Sequence, residues 1–488
     1  MSKGSNPNVA LEPTSQNERH VIQGGRADLE GDVPVAYQEE RFFRIFSATI
    51  RDGGLGKPFG PGSFTLEGPL DLAALENAIN AFLFRHRVLW SRFREVEGQV
   101  FRCLERPTRT PLRTVDLRHL SGKAQMDGLV HDIAANQHSC DDLTSPPPRF
   151  STTLYRLKDD SHVLECVSTL GVFDYVSGNI FAKELGDFYR RYSAGEKPQV
   201  VPAAVQFADY ACWNRDWHTG PRVEKAVAFF RQRLEGGESI SSLMPTDSPR
   251  EPVELRRKQN FYAPFPQKGV FVKVAPEVTG TLRGLAESGG WTLEAATYAA
   301  FAAAMGRRAG VSDVVMRTTF DTRDRLTGIE DTVGFFSNFT YLRLDLSGAP
   351  TFRQLVARGH REVSEARSLP EFQLVPFAYP EVDDRFRVLF MHYGTRGGDG
   401  DRPELPGIKV GLLEFGDEYR ALFFWPLHWQ DWSVGFFEMP NGGLGVRVLC
   451  NTALWNEATG RSLANDVVHI LERGAAAPDA PLPAVAAP

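Results

Sequence analysis

Two rounds of alternating strand-like and helix-like segments limit what this 488-residue chain can fold into. From Leu72 to Arg87, the residues Leu72, Leu75, Ala78, Ile79, Phe82 and Leu83 have the spacing of an amphipathic helix. Val88–Phe93 and Gln99–Cys103 read as a short hairpin around Glu95-Val-Glu-Gly98. His162–Leu170 is a mostly apolar run, the pattern of a buried strand. It leads through Asp174 into a helix expected over Asn179–Tyr192. Gly195–Ala204, with Pro198 and Pro202, reads as a linker. Beyond it, helices are expected over Arg222–Leu234, Thr279–Ser288, Leu293–Arg307 and Thr351–Arg367. Strands are expected over Gly269–Val274, Asp313–Thr319, Thr340–Leu346, Phe386–His392, Ala421–Trp425 and Leu444–Asn451. This alternation predicts an α/β protein of two similar lobes, and the length exceeds what one compact core holds. The expected division is a polar disordered tail over 1–31, lobes over 32–204 and 205–473, and an Ala/Pro-rich tail over 474–488.

Composition excludes several function classes. A formal net charge of -6 gives no general attraction to nucleic acid or anionic membranes. Five scattered cysteines (Cys103, Cys140, Cys166, Cys212 and Cys450) with no C-x-x-C pair predict reduced thiols in a cytoplasmic protein, with no zinc site. The first residues lack the apolar stretch of a signal peptide, and no uncharged apolar run reaches membrane-spanning length. No G-x-S-x-G elbow, H-E-x-x-H helix or phosphate loop is present, and neither a metal nor a cofactor is expected. The 34 Phe and 8 Trp instead supply aromatic surface for a core or an apolar pocket.

The segment Ser168-Thr-Leu-Gly-Val-Phe-Asp-Tyr-Val-Ser177 falls on a strand-to-helix turn, where side chains can point into a cavity. Six further segments accompany it in order: Val35-Ala-Tyr-Gln-Glu-Glu-Arg-Phe-Phe43, Arg85-His-Arg-Val-Leu-Trp-Ser-Arg-Phe93, Gln206-Phe-Ala-Asp-Tyr-Ala-Cys-Trp213, Thr322-Arg323, Val333-Gly-Phe-Phe-Ser-Asn338 and Thr351-Phe-Arg-Gln-Leu-Val-Ala-Arg358. Together they resemble the condensation domains of nonribosomal peptide synthetases, over residues 33 to 473. The resemblance implies two chloramphenicol-acetyltransferase-like lobes in a V-shaped pseudo-dimer with a central tunnel. With no carrier-protein or adenylation module in the sequence, a free-standing, monomeric member of the family is expected. The partner would be a small-molecule biosynthetic intermediate, with a carrier protein or a partner pathway enzyme as further candidates.

The family's signature at the turn is His-His-x-x-x-Asp-Gly. Here Thr169 and Leu170 hold the histidine positions, Asp174 is kept, and Tyr175 replaces the glycine. Leu170 cannot accept a proton, and Thr169 has no useful basicity at neutral pH. By the resemblance, Asp174 is structural and pairs with Arg323. Tyr175, His428, Thr169 and Asp431 are the candidates for catalysis. Leu170, Phe173, Ser177, Trp425, Trp429, Trp432, His392 and Tyr393 are the candidates for substrate binding. His392 and Tyr393 are neighbours in an expected strand, so they cannot both face one cavity.

Three functions fit this pattern. One is a repurposed enzyme of natural-product biosynthesis that cyclises or rearranges an intermediate held between the lobes. The second is an amide- or ester-forming acyltransferase that works by proximity, or with a base displaced to His428 or His392. The third is a non-catalytic platform that recruits other pathway enzymes.

Overall fold

The apolar stripe of the first predicted helix folds over Leu72–Arg85. Asp71 caps it by accepting a hydrogen bond from the Ala74 N–H at 2.9 Å. In this computed structural model, residues 20–482 are described, except 27–28, 52–59, 61, 219–220, 238, 260–264, 349, 369–385, 394–401, 414–426, 429 and 440.

The first lobe is built on a five-stranded sheet. Its order is Lys409–Leu412, Gly62–Glu67, Ser161–Ser168, Phe150–Lys158 and Arg113–Asp116. Alternation along these strands divides the side chains between two faces. Phe64, Leu66, Leu154, Leu164 and Cys166 join the core of helices Leu72–Arg85 and Tyr175–Ser193. Tyr155 and Val163 pack instead with Leu129 and Ile133 of helix Gly122–Asn136. A small three-stranded sheet (Gly31–Pro34, Gln99–Leu104, Ser91–Val96) adjoins this lobe.

The second lobe carries a seven-stranded mixed sheet, ordered Ser337–Asp345, Asp313–Asp321, Val388–Tyr393, Trp432–Glu438, Leu444–Asn451, Phe265–Val274 and Leu427–His428. Helices Pro276–Gly289, Leu293–Ala309, Phe352–Ser368 and Glu457–Ala476 contribute to its core. The helix Leu293–Ala309 fits against its neighbours through a run of alanines, all buried between Ala295 and Ala304. The two-lobed α/β architecture agrees with the sequence reading.

Several connections bind the halves together. Strand Lys409–Leu412 leaves the second half and pairs antiparallel with Gly62–Glu67 of the first. His20–Val21 pairs in parallel with Leu326–Thr327, and Ile22 is buried beside them. Helix Phe207–Trp217 places Phe207, Tyr210 and Ala211 in the first lobe's core, although it follows the linker. Within the segments 1–31 and 474–488, His20–Val21 pairs with Leu326–Thr327, Gly31 with Leu104, and the Leu482 N–H donates to the Pro350 carbonyl at 3.1 Å. The expected strand over Ala421–Trp425 lies outside the described residues.

Candidate functional site

The turn between strand Ser161–Ser168 and helix Tyr175–Ser193 is closed by the Thr169 carbonyl. It accepts from the N–H groups of Val172 and Phe173, each at 3.1 Å. Gly171 is closely packed there: a Cβ on it would lie 2.9 Å from Leu143 Cδ1 and 3.0 Å from the Phe42 ring, so these side chains would have to shift. The helix begins four residues earlier than expected because Asp174 caps it. Its Oδ1 accepts from Ser177 N at 2.9 Å and from Ser177 Oγ at 2.8 Å.

Asp174 also reaches across to the second half of the chain. Its Oδ2 accepts from Phe336 N at 2.9 Å and from Arg323 Nη1 at 2.6 Å, and its Oδ1 from Arg323 Nη2 at 3.2 Å. Arg323 donates in addition to the Thr332 carbonyl at 3.0 Å, and its guanidinium lies 3.8 Å from the Phe336 ring centre. Burial lowers the tendency of this guanidinium to hold its charge, but the carboxylates of Asp174 and Asp321 outweigh it and raise its pKa. Ser177 completes the joint: its Oγ, which donates to Asp174, accepts from Gly334 N at 3.0 Å and lies 3.1 Å from the Gly334 carbonyl oxygen. Buried ionic groups need this degree of satisfaction, and here it leaves Asp174 committed to five hydrogen bonds.

The other nominated residues are dispersed. Thr169 is buried, Leu170 packs against the first lobe's core, and Tyr175 is half-buried at the first position of the helix. Phe173 lies inside that core, 5.5 Å from the Phe150 ring. Asp431 is buried in the second lobe, paired with Arg257 and accepting from Asn451 Nδ2 at 3.3 Å. Trp432 is a core residue 4.9 Å from the Trp455 ring. His392 faces helix Leu293–Ala309, with Nδ1 3.0 Å from Thr297 Oγ1 and Nε2 3.8 Å from Glu438. Tyr393 lies on the opposite face of the same strand, stacked on Phe437 at 4.7 Å, where burial pushes its phenol pKa up. His428 lies in strand Leu427–His428, which pairs with Phe265–Pro266; Trp425 and Trp429 lie outside the described residues.

Local patterns gave no sign of two groups beside these residues. Arg102 is buried next to the turn, paired with Glu39 and 3.5 Å from the Gly171 carbonyl oxygen, and burial lowers its pKa to about 9. Arg257 is the counter-charge of Asp431. Arg102 stands among the apolar residues of strand Gln99–Leu104 and Arg257 among the charged residues of helix Glu251–Gln259, and in both cases only the three-dimensional packing reveals the buried partner. Among the described residues, no group of three or more His, Cys, Asp or Glu side chains is placed to hold a metal ion. No described helix is long and apolar enough to cross a membrane.

The Condensation domain family model matches residues 59–377, more than half of the chain. The chain belongs to the condensation-domain family. One of the linear gramicidin synthase proteins of Brevibacillus parabrevis is 30% identical over 458 residues, which cover 92% of this chain but 8% of that protein. The chain thus spans a small part of the curated relatives it matches. Among solved structures, the X-domain from teicoplanin biosynthesis aligns with a TM-score of 0.75 at 23% identity, covering 94% of this chain and 98% of that one. The first condensation domain of the CDA synthetase aligns with a TM-score of 0.69 at 19% identity, covering 93% and 98%. The teicoplanin X-domain has also been solved in complex with OxyB, and that chain aligns with a TM-score of 0.72 at 22% identity over 94% and 98%. Both folds share the two-lobed arrangement seen here.

Proposed function

We propose that this condensation-domain protein serves nonribosomal peptide or related natural-product biosynthesis as a scaffold. It would hold a pathway intermediate, free or carrier-bound, for a partner enzyme, without running acid–base chemistry at the turn. One observation supports this reading most. The positions that hold histidines in the family are Thr169 and Leu170, and the one carboxylate of the turn, Asp174, is saturated by Ser177, Phe336 and Arg323. A general base needs a lone pair within reach of the substrate proton and a pKa near the working pH. Leu170 has no lone pair, Thr169 has no useful basicity, and Asp174 is engaged by its five hydrogen bonds. The complex between OxyB and the teicoplanin X-domain, a fold neighbour, is consistent with recruitment of a partner enzyme.

A second reading, cyclisation or rearrangement of a bound intermediate, is favoured by the half-buried phenol of Tyr175 at the start of the helix. Mass spectrometry of metabolites from the producing strain, with the gene intact and deleted, separates the readings. The scaffold reading predicts that the deletion strain accumulates a fully coupled compound that lacks a later modification. An isomer of the product would support the second reading. Separate acid and amine halves would overturn both in favour of an acyltransferase.

A further inference from the structure

Behind the turn, helix Tyr37–Arg51, strand Ser91–Val96 and the segment 141–144 enclose a groove of about 640 Å³. That volume lies in the range of small-molecule sites, roughly 300–1,000 Å³. Its apolar surface comes from Phe43, Phe46, Ile50, Phe93 and Leu143. Phe43 and Phe93 are stacked with centres 5.3 Å apart and planes 6° from parallel, and Phe46 stacks on Phe42 at 4.2 Å. The Phe93 N–H donates to the Leu143 carbonyl at 2.7 Å, which fixes one wall to the other. Leu143 is also the residue against which Gly171 of the turn is packed, as is Phe42. The groove and the turn thus share a wall one side chain thick.

The charged groups around the opening already have partners. Arg92 pairs with Glu105 at 3.0 Å, Arg94 with Asp32, and Glu95 with Arg44 at 3.4 Å. Asp142 accepts from Thr144 and Ser145. Asp141 is bonded to His138 Nδ1, and burial pushes its carboxyl pKa up, so it is a poor fixed anion for a cationic ligand. An ionic ligand would have to displace one of these pairs, whereas a neutral one buries apolar surface at about 25 cal/mol per Å².

We infer that this groove is a binding site for a neutral, mainly apolar group, alkyl or aryl, borne by a small molecule. The inference rests on the scaffold reading only for the biosynthetic origin of that ligand. Binding itself is measurable without any product assay, so the two can fail separately. The test is fluorescence titration of the purified protein with N-phenyl-1-naphthylamine, followed by displacement with octan-1-ol, octanoate or octylamine. Saturable binding is expected. Octan-1-ol should displace the probe at concentrations at least ten-fold lower than either charged analogue. Ser47→Trp and Thr144→Trp, on opposite walls, should each weaken probe binding at least ten-fold with an unchanged circular dichroism spectrum. Absence of saturable binding to the wild-type protein would overturn the inference, as would unchanged affinity in both folded variants. Preferential displacement by octanoate or octylamine would overturn the assignment to a neutral group.

Discussion

Arg323 Nη1 lies 2.6 Å from Asp174 Oδ2, and through this contact the start of a first-lobe helix is fastened to the segment that leads into the second lobe's sheet. Asp174 is the helix cap, the acceptor of the Phe336 N–H and the counter-charge of Arg323 at once. A carboxylate with these duties holds the turn in shape, and it has no capacity left to take a proton from a substrate.

Removing Arg323 leaves Asp174 buried without its counter-charge, and removing Asp174 leaves Arg323 buried with Asp321 as its one remaining carboxylate among the described residues. Arg323→Ala and Asp174→Ala should each lower stability by about 3–5 kcal/mol. Urea unfolding monitored by circular dichroism checks this: the midpoint should fall while the slope stays the same. A loss below about 1 kcal/mol in either variant would mean that the pair does not hold the turn.

A second cluster makes stability depend on pH. Glu165 is buried in the first lobe's sheet beneath helix Gly122–Asn136. It accepts from Asn136 Nδ2 at 2.9 Å and from the Tyr155 hydroxyl at 3.0 Å, and that hydroxyl also lies 2.8 Å from Asp132. Burial raises the Glu165 pKa from 4.5 to about 7, while Arg113 holds Asp132 low. The folded protein therefore keeps a proton on Glu165 between pH 4.5 and 7 that the unfolded chain has lost, so stability falls as pH rises through this window. Glu165→Gln should remove about 3 kcal/mol of that decline. Thermal melts at pH 5 and pH 8 check it: the wild-type difference between them should exceed that of the variant. Equal differences would place the Glu165 pKa near its unfolded value.

Trp432 lies in the second core, against Trp455. Trp432→Ala should cost about 3–5 kcal/mol through the cavity it leaves. Its unfolding midpoint in guanidinium chloride measures this loss. An unchanged midpoint would return Trp432 to the candidates for a ligand-contacting wall.

The segments legible in the sequence are those whose periodicity is set locally. The helices expected over Leu72–Arg87 and Leu293–Arg307 form over Leu72–Arg85 and Leu293–Ala309, each within two residues at its end. Family resemblance brought Asp174 and Arg323 together, because their pairing joins residues far apart in the chain. Long-range pairing hid the rest. Nothing in Lys409–Leu412 itself shows that it adds to the first lobe's sheet beside Gly62–Glu67. Alternation required that His392 and Tyr393 face opposite ways, but the sheet's neighbours decide which of them meets helix Leu293–Ala309. Trp432 reads as an aromatic wall in a tryptophan-rich stretch. Its place in the core follows from the position of its strand between Val388–Tyr393 and Leu444–Asn451. The helix start at Tyr175 was missed because Val176, Ser177 and Gly178 are weak helix formers, and the cap at Asp174 offsets them.

The central claim is that the turn does no acid–base work. The most direct test is to complement the deletion strain with the double variant Thr169→Val, Tyr175→Phe, which removes the two hydroxyls nominated for catalysis with little change of shape, and to measure the final product by mass spectrometry. A scaffold predicts product at the wild-type level. Loss of product, with the variant present at wild-type abundance and melting temperature, would contradict the account and place the chemistry at the turn.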